Sequence, residues 1–288
     1  MSEYESRFYT SADGLKLFYR DYGAARTATP VLCIPGLTRN ARDFDCIADH
    51  LARDRRVLVA DLRGRGRSAY DSEWRHYVVP VEAADMMRLL EATGISEIVV
   101  LGTSRGGIVA MAMATAKTAV KAVVLNDIGA EIEAQGLDRI SAFVGREMPF
   151  ASWDQAASFL KEIYSSAFLH VPDARWREFA EAIYRETDGR IVPDYDPKLG
   201  DAMREPNGSG RAQGANVNLW PLFAALKDIP TLVLRGENSD LLSAVRVGKM
   251  REAKLDLAAT TVKDRGHAPF LDEPEAVEAI NAFLETIS

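Results

Sequence analysis

Ser104 stands between glycines in the stretch GTSRGG, residues 102–107. A serine hydroxyl is a weak nucleophile by itself. It attacks a carbonyl when a neighbouring base takes its proton and a third group orients that base. The spacing Gly-x-Ser-x-Gly suits this chemistry where a strand turns sharply into a helix at the serine. The residues two before and two after then approach so closely that side chains there would clash, and Gly102 and Gly106 have none. The same spacing also describes an ordinary turn serine, so the flanking chain has to decide.

The flanks supply the required context. SEIVVLG reads as a buried strand ending at Gly102, and RGGIVAMAMA, from Arg105, reads as a helix with small residues for close packing. The start of that helix sets a positive dipole end beneath the serine and aims the Arg105 N–H at a developing oxyanion. A base and an orienting acid are expected downstream, in the order serine, acid, histidine. His267 follows Ser104 in DRGHAPFLDEP, a loop between a strand and the last helix; His170, the other later histidine, lies in a helical segment. Asp240 follows the apolar strand PTLVLRG, on the loop ENSDLL. A second oxyanion donor is expected from CIPGLTRN, where Gly36 permits the turn and Leu37 donates its N–H.

These residues need a frame. Strand-like apolar runs (LKLFYRDYG, TPVLCIPG, RRVLVADLRG, SEIVVLG, KAVVLNDIG) alternate with helical patterns such as ARDFDCIADHLAR and PVEAADMMRLLEATG. The runs are continuous rather than alternating, as in strands covered on both faces. The expected fold is α/β, a mostly parallel doubly wound sheet with helices on each side. The rhythm stops after Gly129 and resumes at Ile229. Residues 131–218 read as helical and unusually aromatic, an inserted cap over a core formed by residues 1–130 and 219–288. EPNGSGRAQGANVN, near the end of the insertion, reads as a mobile connection.

Composition narrows the function. The chain has 288 residues and a formal net charge of −7, against nucleic-acid binding, which needs clustered Lys and Arg. No apolar run approaches the ~18 residues that span a bilayer. The acidic start MSEYESRFYT has no apolar stretch, so the protein is expected to be cytoplasmic. Two cysteines, Cys33 and Cys46, make no disulfide framework, and the four histidines show no metal-ligand spacing. No metal or organic cofactor is expected.

Taken together, the blocks resemble an α/β-hydrolase with a helical cap. PGL sits at the oxyanion loop, DLRGRGRS at the family's Asp-x-Arg-Gly-x-Gly-x-Ser turn, and GTSRGG at the nucleophile elbow. GENSDLL takes the place of the acid loop and GHAPFLDEP that of the histidine loop. One departure is Pro35, where the family commonly carries a histidine. The resemblance implies a serine hydrolase acting on a small-molecule ester, lactone or thioester, with Ser104, Asp240 and His267 as triad and Leu37 and Arg105 as oxyanion donors. Similar proteins sometimes take the acid from the end of the preceding strand, so Asp127 in VVLNDIG is the alternative. C–C bond cleavage, perhydrolase or lyase chemistry on the same triad, and a receptor-like binding role, are the rival readings. Asp61 and Arg63 are expected to hold the RGRGRS turn, and Arg105 to pair with an acid or point to solvent.

Overall fold

The computed structural model describes residues 3–23, 28–116, 119–205 and 217–287. Strands β1 (Glu5–Thr10), β2 (Lys16–Tyr22), β3 (Ala28–Ile34) and β4 (Arg55–Ala60) open the chain, with helix α1 (Asp45–Leu51) between the last two. Helix α2 (Val79–Thr93), strand β5 (Ile98–Thr103), helix α3 (Arg105–Ala114) and strand β6 (Val120–Asn126) follow. The α2 signals read from sequence are in place: Pro80 in the first turn and Gly94 in the left-handed conformation just past its end, at φ 67°.

The insertion begins with β7 (Glu131–Ile132). It continues through α4 (Ala134–Phe143), α5 (Trp153–Tyr164), α6 (Asp173–Ile183), the strands β8 (Tyr184–Thr187) and β9 (Arg190–Pro193), and α7 (Leu199–Arg204). It closes with β10 (Val217–Asn218), which pairs back with β7, Val217 opposite Ile132. A strandless insertion was expected; these four strands correct that. The glycine-rich connection lies mostly outside the described residues. After it come α8 (Trp220–Phe223), β11 (Thr231–Gly236), α9 (Ala244–Ala253), β12 (Ala258–Val262) and α10 (Pro274–Glu285).

The main sheet has the order β1-β2-β4-β3-β5-β6-β11-β12. Only β2 runs against the other strands, antiparallel to both of its neighbours, β1 and β4; every other pairing is parallel. Successive strand residues go to opposite cores. Leu32, Ile34, Val100, Val123 and Val233 meet α2, α3 and α9 on one face. Val31, Cys33, Val99, Val124 and Leu232 meet α1 and α10 on the other. Both faces are dry, which is why these strands read as unbroken apolar runs. The parallel arrangement brings the C-terminal ends of β3, β5, β6, β11 and β12 to one edge. There the insertion packs a separate aromatic cluster that includes Phe168, Trp176 and Tyr184, with Phe270 from the core against it.

Candidate active site

β5 ends at Thr103 and α3 begins at Arg105, so the whole change of direction falls on Ser104, at φ 52° and ψ −113°. A residue with a Cβ avoids that region unless its surroundings enforce it. Here they do. A methyl built on Gly102 would lie 2.4 Å from the Gly106 carbonyl oxygen, and one on Gly106 would lie 2.0 Å from the Ile34 carbonyl oxygen. The Ser104 N–H donates to the Asn126 carbonyl at 3.0 Å, and the Ser104 carbonyl accepts from Gly107 N–H at 2.9 Å.

His267 reaches the serine from the loop after β12. Its Nε2 stands 3.0 Å from Ser104 Oγ. The loop crosses the end of β11, where a methyl on Gly236 would meet the Gly266 carbonyl oxygen at 2.4 Å. Asn126 Nδ2 donates to the Pro269 carbonyl at 3.0 Å. The buried Glu273 accepts from the Phe270 and Leu271 N–H groups and from Arg265 Nε.

The carboxylate that meets His267 belongs to Asp127, with Oδ2 2.8 Å from Nδ1. The expectation that Asp240 fills this place is therefore corrected. The reason is the order of strands. β6 lies directly between β5 and β11, so the residue that follows it stands beside the serine. Asp127 is fully buried and takes a left-handed φ of 56°. It also accepts from Gly236 N–H at 2.8 Å and from Ser239 Oγ at 2.5 Å. Asp240, farther along the β11 loop, forms a two-pronged pair with Arg139 of α4, at 2.6 and 2.9 Å. Burial alone would push its carboxyl up, but Arg139 outweighs that and holds it below its usual range, with His267 adding to the effect.

The expected oxyanion donors come from the residue after Ser104 and from the loop after β3. The Arg105 N–H opens α3 and, as a first-turn donor, has no partner within the helix. Leu37 follows Gly36, where a built methyl would stand 3.9 Å from Ser104 Cβ and 3.2 Å from Arg39 Cγ. Arg65, completely buried, donates from Nε to the Leu37 carbonyl at 2.8 Å. Arg65 Nη1 pairs with Glu82 of α2 at 2.9 Å, and Glu82 also takes Arg105 Nε at 2.7 Å. One buried carboxylate thus ties together the supports of both donors. Burial would push the Glu82 carboxyl up; Arg105 and Arg65 more than offset this and hold it below its usual range. No sequence motif marks Glu82 for this place.

The RGRGRS turn behaves as read. Asp61 accepts from the N–H groups of Ala41 and Arg67, and Arg63 pairs with Asp13, Asp71 and Asp85. Asp13, Asp71 and His76 bring ligand-type atoms within 4.8 Å of one another, a grouping the histidine spacing did not suggest. Arg63 donates to both of those aspartates, so the charge a cation would supply is already there.

Beneath the insertion lies a cavity of about 130 Å³. Thr38 and Arg39, next after Leu37, form its core side. Arg139, Phe159, Tyr164 and Tyr184 of the insertion face them. Among the described residues no helix is long and apolar enough to cross a membrane.

This geometry has known relatives. The model of the alpha/beta hydrolase family matches residues 31–280. The chain belongs to that family. A fellow alpha/beta hydrolase of known structure, from Novosphingobium aromaticivorans, superposes with a TM-score of 0.91 at 42% identity over 99% of both chains. The 3-hydroxybutyrate-oligomer hydrolase of Cupriavidus necator is 33% identical over 93% of this chain and 92% of its own length. The 2-(acetamidomethylene)succinate hydrolase of Mesorhizobium japonicum is 26% identical over 88% of this chain and 87% of its own. Relatives within the alpha/beta hydrolases therefore act on chemically different substrates, and the shared fold carries hydrolysis without naming the bond.

Proposed function

We propose that this chain is a carboxylic ester hydrolase that works through an acyl-enzyme on Ser104. The observation that carries the reading is the unbroken hydrogen-bond chain Ser104–His267–Asp127, at 3.0 and 2.8 Å. His267 Nε2 takes the Ser104 proton as Oγ attacks the ester carbonyl. The N–H groups of Leu37 and Arg105 receive the oxyanion, and Asp127 fixes the imidazole tautomer and balances its charge. The tetrahedral intermediate expels the alcohol, which leaves with the proton from His267. Water, deprotonated by the same histidine, then releases the acid.

Residues 131–218 act as a cap that sets which ester enters. Similarity to a 3-hydroxybutyrate-oligomer hydrolase supports short hydroxy-acid esters as the substrates. The test is a panel of short p-nitrophenyl esters, 3-hydroxybutyrate dimers, small lactones and acyl thioesters, with Ser104→Ala as the blank. Serine-dependent turnover of the open-chain esters above the others is expected. Serine-dependent turnover of only lactones or thioesters would move the reading to those bonds, and turnover unaffected by the substitution would end it.

A further inference from the structure

The cavity beneath the insertion has an uneven balance of charge. Its lining includes Arg39, Arg139 and Arg146 and no carboxylate. Two of these arginines are held from behind. Asp43 takes Arg39 through Nε and Nη2, and Asp240 takes Arg139 through the same pair of nitrogens. In each case Nη1, with two N–H groups, is outside the pair. Aromatic faces fix the guanidinium planes further: Arg39 Cζ lies 4.5 Å from the Phe179 ring centre and Arg139 Cζ 5.6 Å from that of Tyr164. Arg146 is exposed and forms no ion pair with any described residue. Three cations against two supporting anions leave the cavity net positive. Tyr184 adds a phenol that burial keeps protonated, a further donor on the wall.

We infer that this cavity is a carboxylate subsite, built to receive a short arm of the substrate ester that ends in a free carboxylate. The inference rests on the ester-hydrolase reading for its place in the reaction, but the binding chemistry stands on the arginines. A planar guanidinium with N–H groups outside its supporting ion pair matches a carboxylate better than any other small anionic group except phosphate. The aspartates restrain the guanidinium forks before the ligand arrives, which lowers the ordering cost of binding. The size fits a short arm, since a cavity of about 130 Å³ admits a small ligand fragment and not a bulky group. Phe159, Tyr164 and Leu160 provide the apolar wall for its carbons. The position fits too. Arg39 Cγ and Ser104 Cβ both fall within 4 Å of a methyl built on Gly36, so Arg39, on the core side of the cavity, stands near the reacting serine. Asp240, which does not touch His267, acquires a role here as the positioning residue for Arg139.

Two measurements separate the subsite from the reaction. The first uses Ser104→Ala protein and calorimetry with butyrate, inorganic phosphate and the neutral isostere butanamide. Butyrate is expected to bind, with affinity falling as salt is raised, and to bind roughly tenfold or more tightly than butanamide. Equal binding of butyrate and butanamide, or no binding of either, would overturn the subsite whatever the enzyme hydrolyses. Phosphate binding in preference to butyrate would overturn the carboxylate assignment. The second compares kcat/KM for a 3-hydroxybutyrate dimer with its free carboxylate against the methyl-capped dimer, in wild type and in the Arg139→Met/Asp240→Asn double variant. Removing both partners avoids leaving a buried unpaired charge. The preference for the free acid is expected in wild type and to shrink by about tenfold in the double variant, mainly through KM. A preference that survives the double variant unchanged would overturn the role of Arg139. If butyrate binds as expected while no ester is turned over, the subsite stands and the ester reading falls.

Discussion

Glu82 and Arg105 form an ion pair at 2.7 Å, with the carboxylate entirely shut off from water. The N–H of this same Arg105, an expected oxyanion donor, opens the helix behind Ser104. The second support, Arg65 on the Leu37 carbonyl, is anchored on the same carboxylate. The two expected donors follow different strands, yet one carboxylate from α2 is paired with the arginine beside each of them.

Glu82→Gln leaves two buried guanidinium groups sharing a neutral amide. Breaking one partner of a buried ionic cluster typically costs about 3–5 kcal/mol. The expected outcome is a lower urea midpoint together with a fall in kcat on a short ester, since both donors lose their anchor. A variant as stable and as active as wild type would show that the cluster is not what holds the hole.

The identity of the nucleophile can be checked against its nearest chemical rival. Ser104→Ala should fold as wild type and lose turnover by about 10⁴-fold or more. Cys33 is fully buried, and burial pushes its thiol up, so it is expected to remain unreactive. Iodoacetamide should therefore leave activity intact while a fluorophosphonate abolishes it; the opposite pattern would point to a thiol.

The two aspartates give opposite expectations. Asp127→Asn presents an amide to His267 Nδ1 and favours the wrong tautomer, for an expected loss of about 10³–10⁴-fold in kcat. Asp240→Asn should cost far less in kcat and show its effect in KM, because its partner is Arg139. Steady-state kinetics of the two purified variants on one ester decide the matter, and a reversed ranking would return the acid to Asp240.

Gly106→Ala tests the elbow itself. The added methyl would meet a backbone carbonyl at 2.0 Å, which cannot yield as a side chain tip does. Overpacking of this kind costs about 1–3 kcal/mol and here is expected at the upper end, visible as a lower melting temperature. Gly248, where a built methyl meets nothing within 4 Å, is the control.

Much of this was legible because it is local. The elbow, the histidine loop and the parallel strands each carry a signature within a dozen residues. The acid was not, since Asp127 and Asp240 both follow apolar strands and only the sheet order separates them. β6 beside β5 puts Asp127 next to the serine, and that neighbour relation has no trace in sequence spacing. The β8–β9 hairpin did have a signal: Asp188 and Gly189, both at positive φ, form the Asp-Gly turn that joins such strands. Each strand is only four residues long and shows no clear alternation of buried and exposed positions. Glu82 was invisible for a different reason. A glutamate in the first turn of a helix ordinarily faces water, and nothing in PVEAADMM distinguishes a buried one.

The little ribbon of β7 and β10 brings both ends of an 88-residue excursion to one doorway, Val217 facing Ile132. A segment that leaves and returns at the same point can change its length without moving the strand ends it joins. The sheet and the elbow can stay fixed while the excursion lengthens, shortens or is exchanged, with the Leu169 N–H bond to the Asp264 carbonyl as a contact that must be kept at the histidine loop. On the cap role proposed above, substrate range would change as an interchangeable tool head does, at the tip rather than at the handle. On the same proposal, a graft of the residues between β7 and β10 from a relative is the unit with which to try to transfer preference.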